Sequence, residues 1–267
     1  AAAPPPPPAT VTLRVQRRHN DVGLRPWEAA FRLADYCVAF KERFLDKNVL
    51  ELGSGVGLTG LVIALCTKAK KICLTDYTPE VLSNLRYNLQ INSLSGLSGS
   101  SGREEYGMEH QEHSINENQK VLQVEKLDWN HPEKSPQILS QNWDIILAAD
   151  IFYDQDQIPS LANLMHLFLM ESENKRNNTQ HTTTDNTTGE QPPILLEFIC
   201  AYTLRNEETL QLLRACLAKL GVHMSQLEPC EEQKVDAFCH ETSSIISEMM
   251  RRDFNARGNV FLCRLHL

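Results

Sequence analysis

The segment Val49-Leu50-Glu51-Leu52-Gly53-Ser54-Gly55-Val56-Gly57-Leu58 carries the first chemical signal in this chain. A short apolar run holds an acid, three glycines follow at alternate positions, and a helix-like pattern resumes. This order describes a buried strand turning sharply into a helix beneath a nucleotide-like ligand. Glycine permits the unusual dihedrals and the close main-chain approach that such a ligand needs. The helix start presents unpaired N–H groups and a partial positive charge. A dinucleotide fingerprint requires Gly-x-Gly-x-x-Gly. Here Leu58 stands at the third position and the glycine comes one residue early, at Gly57. That spacing disfavours a nicotinamide dinucleotide.

Other candidates stand where further strands should end. Asp76 closes Lys71-Ile72-Cys73-Leu74-Thr75-Asp76, at about the 20-residue separation from the loop at which an acid accepts ribose hydroxyls. The same place also suits a helix start, with Thr78 as cap and Pro79 at the first position. Asp128 and Trp129 suit an adenine: an indole offers flat apolar area and a carboxylate accepts from an exocyclic amine. A tryptophan filling a loop cluster is the plainer account of that pair. Ala149 is small enough to let a ligand lie against a strand end, or is ordinary sheet packing. Asp150 and Tyr153 follow it and face the reacting end of the ligand, unless they serve as a helix cap and a rim hydrogen bond. Trp27 opens the helix before the glycine loop.

These residues need a scaffold that gathers strand ends. Apolar spacing predicts a helix over 27–40, then strand 48–53, helix 57–68, strand 71–76 and helix 79–91. Strands 121–127 and 143–149, helix 156–170, strand 193–201 and helix 206–220 follow. Strands 222–228 and 258–266 close the chain without a long helix between them. A short strand is expected over Val11 to Val15. Alternation of strands and helices indicates an α/β fold, a doubly wound, mostly parallel seven-stranded sheet with an antiparallel edge. Ligands bind such sheets beyond the carboxyl ends of the strands.

The chain has 267 residues and 42% hydrophobic content, enough for one α/β domain with decoration. Residues 1–9, with prolines from Pro4 to Pro8, read as an extended tether, and 10–267 as the domain. Two polar stretches, about 93–119 and 171–192, cannot bury enough apolar surface to order themselves and read as surface insertions. A net charge of −8 argues against a broad nucleic-acid footprint. The eight cysteines form no Cys-x-x-Cys pair, so no metal site is expected, and reduced thiols fit a cytoplasmic protein, with a nuclear location also open. No apolar run reaches membrane-spanning length. The missing initial methionine suits a fragment or a processed form.

The segments VGLRPWEAA, VLELGSGVGLTGL, LTDYTPEVLSNLRYNLQIN, LDW and DIILAADIFYD occur in the order found in the protein-lysine methyltransferases marked by Asp/Glu-x-x-Tyr/Phe after the fourth strand. Asp150-Ile151-Phe152-Tyr153 matches that mark. The chain resembles this group over roughly residues 20–220. RNEETLQLL, from Arg205 to Leu213, adds a similarity to the branch acting on elongation factor 2. The resemblance implies a Rossmann-like methyltransferase fold and S-adenosylmethionine as cofactor. It implies cofactor contacts at Trp27, Gly53, Ser54, Gly55, Gly57, Asp76, Asp128, Trp129 and Ala149. Asp150 and Tyr153 would then grip the acceptor lysine. A protein substrate, elongation factor 2, is the implied partner, for a monomer bound to neither nucleic acid nor membrane. Another factor as acceptor, a chaperone or a nuclear nucleic-acid-associated protein, stays open. So does a silent binding module, although that reading predicts a broken glycine loop or a lost strand-end acid.

Overall fold

A computed structural model describes residues 10–16, 22–94, 120–182, 196–242 and 260–267. The tether over 1–9 and most of the stretch expected as an insertion over 93–119 lie outside the described residues.

The element order is α1 (Glu28–Ala39), β1 (Asn48–Leu52), α2 (Leu58–Cys66), β2 (Lys71–Asp76), α3 (Pro79–Ile91) and β3 (Val121–Lys126). There follow α4 (Pro136–Leu139), β4 (Ile145–Ala149), α5 (Ile158–Thr182), β5 (Glu197–Thr203), α6 (Glu207–Lys219), β6 (His223–Gln226), α7 (Pro229–Thr242) and β7 (Val260–His266). The seven strands form one sheet in the order β3-β2-β1-β4-β5-β7-β6. The pairs from β3 to β5 are all parallel, and β7 runs antiparallel to both its neighbours. The expected mostly parallel sheet is present, with its antiparallel strand one place in from the edge.

Side chains alternate across the strands, so the central strands β1, β2, β4 and β5 feed two cores. On one face Val49, Ile72, Leu74, Ile145, Leu147 and Ile199 pack with α1 to α3. On the other, Leu50, Leu52, Cys73, Ile146, Ala148 and Phe198 pack with α5 and α6. Burial on both faces explains why β1 and β4 are nearly continuous apolar runs. Helix α3 starts as expected: the Thr78 hydroxyl accepts from the Val81 N–H, and Pro79 fills the first position.

Three expectations need correction. Val11 to Val15 form no strand. The segment instead runs along α3, where asparagines replace a neighbouring strand: the Thr12 N–H donates to Asn92 Oδ1 at 2.8 Å and the Arg14 N–H to Asn88 Oδ1 at 2.7 Å. Helix α5 continues to Thr182, through part of the stretch expected as an insertion. Its apolar face ends early, but Glu171 and Lys175 stand four apart in the order that supports a helix. Helix α7 lies between β6 and β7, where none was expected. It carries weak apolar periodicity because it is fastened by charge. Glu231 binds Arg264 at 2.7 Å through each oxygen and Arg43 at 2.6 Å. Those arginines also reach Glu197, at 2.9 Å from Arg264 and 3.1 Å from Arg43. The Arg264 and Arg43 guanidinium groups hold the Glu231 carboxyl down at about 2 against the effect of burial.

Candidate active site

A cavity of about 480 Å³ opens beyond the carboxyl ends of β1, β2 and β4. The glycine loop makes its floor. Gly53 has φ +62, and a Cβ there would stand 2.8 Å from Ile151 Cγ2 and 3.2 Å from the Trp129 ring. Only glycine lets the loop pass beneath the indole. The Ser54 N–H donates to Thr75 O at 2.8 Å, and the Thr75 N–H donates to Ser54 Oγ at 3.2 Å, joining the ends of β1 and β2. The Gly55 N–H donates to Asp76 Oδ2 at 2.9 Å, so the strand-end acid and the loop form one surface.

Gly53, Ser54, Gly55, Asp76, Asp128, Trp129, Ala149, Asp150, Tyr153 and Trp27 all line this cavity. Gly57 does not. It caps α2 with φ +84, and a Cβ would meet Leu85 Cδ1 at 2.4 Å. Its glycine is required by packing behind the loop.

Asp128 accepts from the Asn130 N–H at 2.9 Å and pairs with His131 Nδ1 at 3.1 Å. Burial opposes its ionisation, but these two partners outweigh it and hold its carboxyl below the usual range. Trp27 donates its Nε1–H to Val22 O at 2.8 Å, and the Arg25 guanidinium lies 4.1 Å from the ring centroid. Tyr153 stands at the mouth, 55% exposed.

Asp150 departs from expectation most. Its side chain is only 3% exposed. Its Oδ2 accepts from the Ala29 N–H at 3.2 Å, from the Thr203 hydroxyl at 2.9 Å and from Arg205 at 3.1 Å. Its Oδ1 accepts from the Thr203 N–H at 2.7 Å and lies 3.1 Å from Arg205 Nη1. Trp27 supplies no side-chain cap to α1, so Asp150 does that work from outside the helix. The carboxylate expected to grip an acceptor is thus already committed, and the helix-cap reading describes it better.

Four contributors lie outside the site residues expected from the sequence, although Glu51 is the acid before the glycine loop and Arg205 opens the RNEETLQLL segment. Glu51 lines the cavity at 3% exposure, and its Oε2 has no hydrogen-bond partner among the described residues. Burial pushes its pKa up to about 7, against the smaller pull of the Ser54 and Thr59 hydroxyls and the Gly60 N–H. Asn88 is fully buried and donates to Val56 O at 2.8 Å, tying the glycine loop to α3. Its signal was the spacing of Asn84, Asn88 and Asn92, four apart on one helix face. Thr203 ends β5 and Arg205 stands two residues beyond it; the part each plays was hidden because their partner Asp150 is distant in sequence.

Glu51, Asp76, Asp128, Asp150 and Asp154 line the cavity against a single arginine, Arg25. Asp150 is neutralised by Arg205, and the remaining excess of acid favours a cationic ligand over a pyrophosphate.

A sequence profile described as lysine methyltransferase matches residues 9–101 and 103–185. The chain is 29% identical over 217 residues to the protein-lysine N-methyltransferase EEF2KMT of Bos taurus, covering 81% of this chain and 57% of the relative. It is 33% identical over 169 residues to an uncharacterised protein of Dictyostelium discoideum, covering 61% and 46%. It is 31% identical over 143 residues to a calmodulin-lysine N-methyltransferase of Arabidopsis thaliana, covering 54% and 40%. The chain spans about half the length of the curated relatives it matches.

Proposed function

Because the chain belongs to the lysine methyltransferase family, we propose that it moves a methyl group from S-adenosylmethionine to the side-chain amine of a lysine in a protein. The observation that carries this reading is the acid-lined cavity over a glycine loop, with Glu51 Oε2 at its floor lacking a hydrogen-bond partner among the described residues. A buried acceptor without a donor is costly unless a ligand supplies one. S-adenosylmethionine carries an ammonium and a sulfonium, and both suit this lining. A dinucleotide would bring phosphates toward the same acids.

The residues present divide naturally around such a donor. Asp76 at the end of β2, which now accepts from the Gly55 N–H, would accept ribose hydroxyls. Trp129 and Asp128 would receive the adenine, Glu51 the ammonium, and Ala149, Trp27 and the loop Gly53 to Gly55 would close around the rest. When bound, the donor would supply an electrophilic methyl on a cationic sulfur for transfer to the lysine nitrogen.

The chain's own task is alignment and proton management. A free lysine has a pKa of about 10.4 and is almost wholly protonated at neutral pH. Entry into the cavity beside a cation lowers that value and leaves a nucleophilic lone pair. The lost proton passes to water at the open mouth. Tyr153 stands there and holds the approaching side chain, while Asp150 fixes the turn on which Tyr153 sits. Orientation of this kind is worth several kcal/mol of barrier, up to about 7–11 in well-aligned cases.

Elongation factor 2 is the proposed acceptor, supported by the likeness to relatives named for that reaction. Another protein lysine is the second reading, favoured by the likeness to the calmodulin-lysine enzyme. We further propose a cytoplasmic monomer organised as one domain over 10–267. The test is incubation with methyl-tritiated S-adenosylmethionine and a lysate of cells lacking this protein, followed by mass spectrometry of the labelled band. Label on a lysine of elongation factor 2 is expected. Label on a different protein moves the acceptor to the second reading, and an unlabelled lysate removes the enzyme reading.

A further inference from the structure

Arg205 does not line the cavity, yet it joins the two walls that do. It leaves the sheet just after β5 and reaches across to the end of β4. There its guanidinium lies 3.1 Å from each carboxylate oxygen of Asp150. The same Nη2 donates to the Glu28 carboxylate in the first turn of α1. Its Cζ lies 5.1 Å from the centroid of the Trp27 ring, next to Glu28 in the chain.

Asp150 has φ +54, a left-handed backbone that a non-glycine residue adopts at a cost of about 1 kcal/mol or more. Such a conformation persists when its surroundings overdetermine it. The Ala29 and Thr203 N–H groups and the Thr203 hydroxyl are neutral donors. Among the described residues, Arg205 alone supplies the positive charge that a buried carboxylate requires. Its planar fork also matches the two oxygens, which a lysine cannot do. The residues after Asp150 depend on this turn. Ile151 lies under the glycine loop beside Gly53, and Tyr153 stands at the mouth.

We infer that Arg205 is a positioning residue for the donor pocket, locking the Asp150 turn and the Trp27 wall into one rigid unit. The inference rests on S-adenosylmethionine being the ligand of this cavity. Without Arg205, the turn and the start of α1 lose their common anchor, and the pocket loses its preformed shape.

Calorimetric titration with S-adenosylmethionine of the full chain and its Arg205→Met and Arg205→Lys variants tests this, with thermal melting measured alongside. Arg205→Met is expected to weaken binding by about tenfold at a temperature where circular dichroism shows it folded. Arg205→Lys is expected to recover part of that loss, since it restores charge without the fork. A folded Arg205→Met chain that binds within about twofold of wild type overturns the inference, even with a lowered melting point, because the role is then structural only. Should Arg205→Met fail to fold, Arg205→Lys decides: weakening of about threefold supports the inference, and unchanged affinity overturns it. A wild-type chain that binds no donor removes the donor reading, and this inference with it. Normal wild-type binding with indifferent variants removes the inference alone.

Discussion

The carboxylate of Asp150 caps helix α1 through the N–H of Ala29, 121 residues earlier in the chain. One residue at the end of β4 therefore sets where the helix preceding the glycine loop begins. The same carboxylate holds the end of β5 through Thr203. Three elements that frame the cavity share a single anion.

Asp150→Ala should therefore cost stability as well as turnover. It strands the Ala29 and Thr203 N–H groups and leaves Arg205 with Glu28 alone. A loss of about 2–4 kcal/mol is expected, discounted for the partial exposure of Arg205. Urea denaturation checks it. Undiminished stability together with lost methyl transfer would return Asp150 to the direct acceptor role expected from the sequence.

Glu51 gives a pH dependence whose sign can be worked out. Its folded pKa of about 7 lies above the ordinary 4.5, so the folded chain keeps a proton that the unfolded chain releases. Stability is complete below 4.5, falls as pH rises toward 7, and stays reduced beyond it. Glu51→Gln removes this loss and should stabilise the unliganded chain above pH 7 by on the order of 3 kcal/mol. The same variant should bind S-adenosylmethionine about tenfold more weakly, because the ammonium loses its counter-charge. Melting curves across this pH range check the first outcome and a titration the second. A stability difference independent of pH would refute the ionisation assigned to Glu51.

Asn88 couples the segment 10–16 to the glycine loop. It accepts from the Arg14 N–H and donates to Val56 O, from a fully buried position. Asn88→Ala leaves the Val56 carbonyl and the Arg14 N–H unpaired, at about 1–3 kcal/mol. Limited proteolysis should then cut within 10–16 faster than in wild type. Equal cleavage rates would show that the asparagine ladder does not hold the segment.

Glu231 fastens α7 to β7 and to Arg43. Its folded pKa of about 2 lies below the ordinary 4.5, so its contribution is full above 4.5 and lost as pH falls toward 2. Glu231→Gln should lower stability near neutral pH by about 2 kcal/mol, with the gap to wild type closing over that acid range. Denaturant melts at neutral pH and at pH about 3 measure the closure. A gap that stays constant would mean that the ion pairs with Arg43 and Arg264 do not stabilise the fold.

The legible parts of this chain were those written in local pattern. Strands β1, β2 and β4 are apolar runs because both their faces are buried, and α3 announces itself through Thr78 and Pro79. Strand ends then located the cavity, and of the site residues expected from the sequence only Gly57 stands behind it. What stayed hidden depends on contacts far apart in the chain. The state of Asp150 is decided by Ala29, Thr203 and Arg205. Helix α7 buries Glu231 against arginines rather than an apolar stripe, so hydrophobic periodicity could not reveal it. Val11 to Val15 alternate like a strand but pair with asparagine side chains on α3.

The most direct test is a titration of S-adenosylmethionine into the folded chain and into Asp76→Ala. Saturable one-to-one binding is expected for the wild type, with a loss of about tenfold or more in the variant, which lacks the acid beside Gly55. A folded wild-type chain that takes up no donor, or an Asp76→Ala chain that binds it equally well, would contradict the placement of the donor in this cavity.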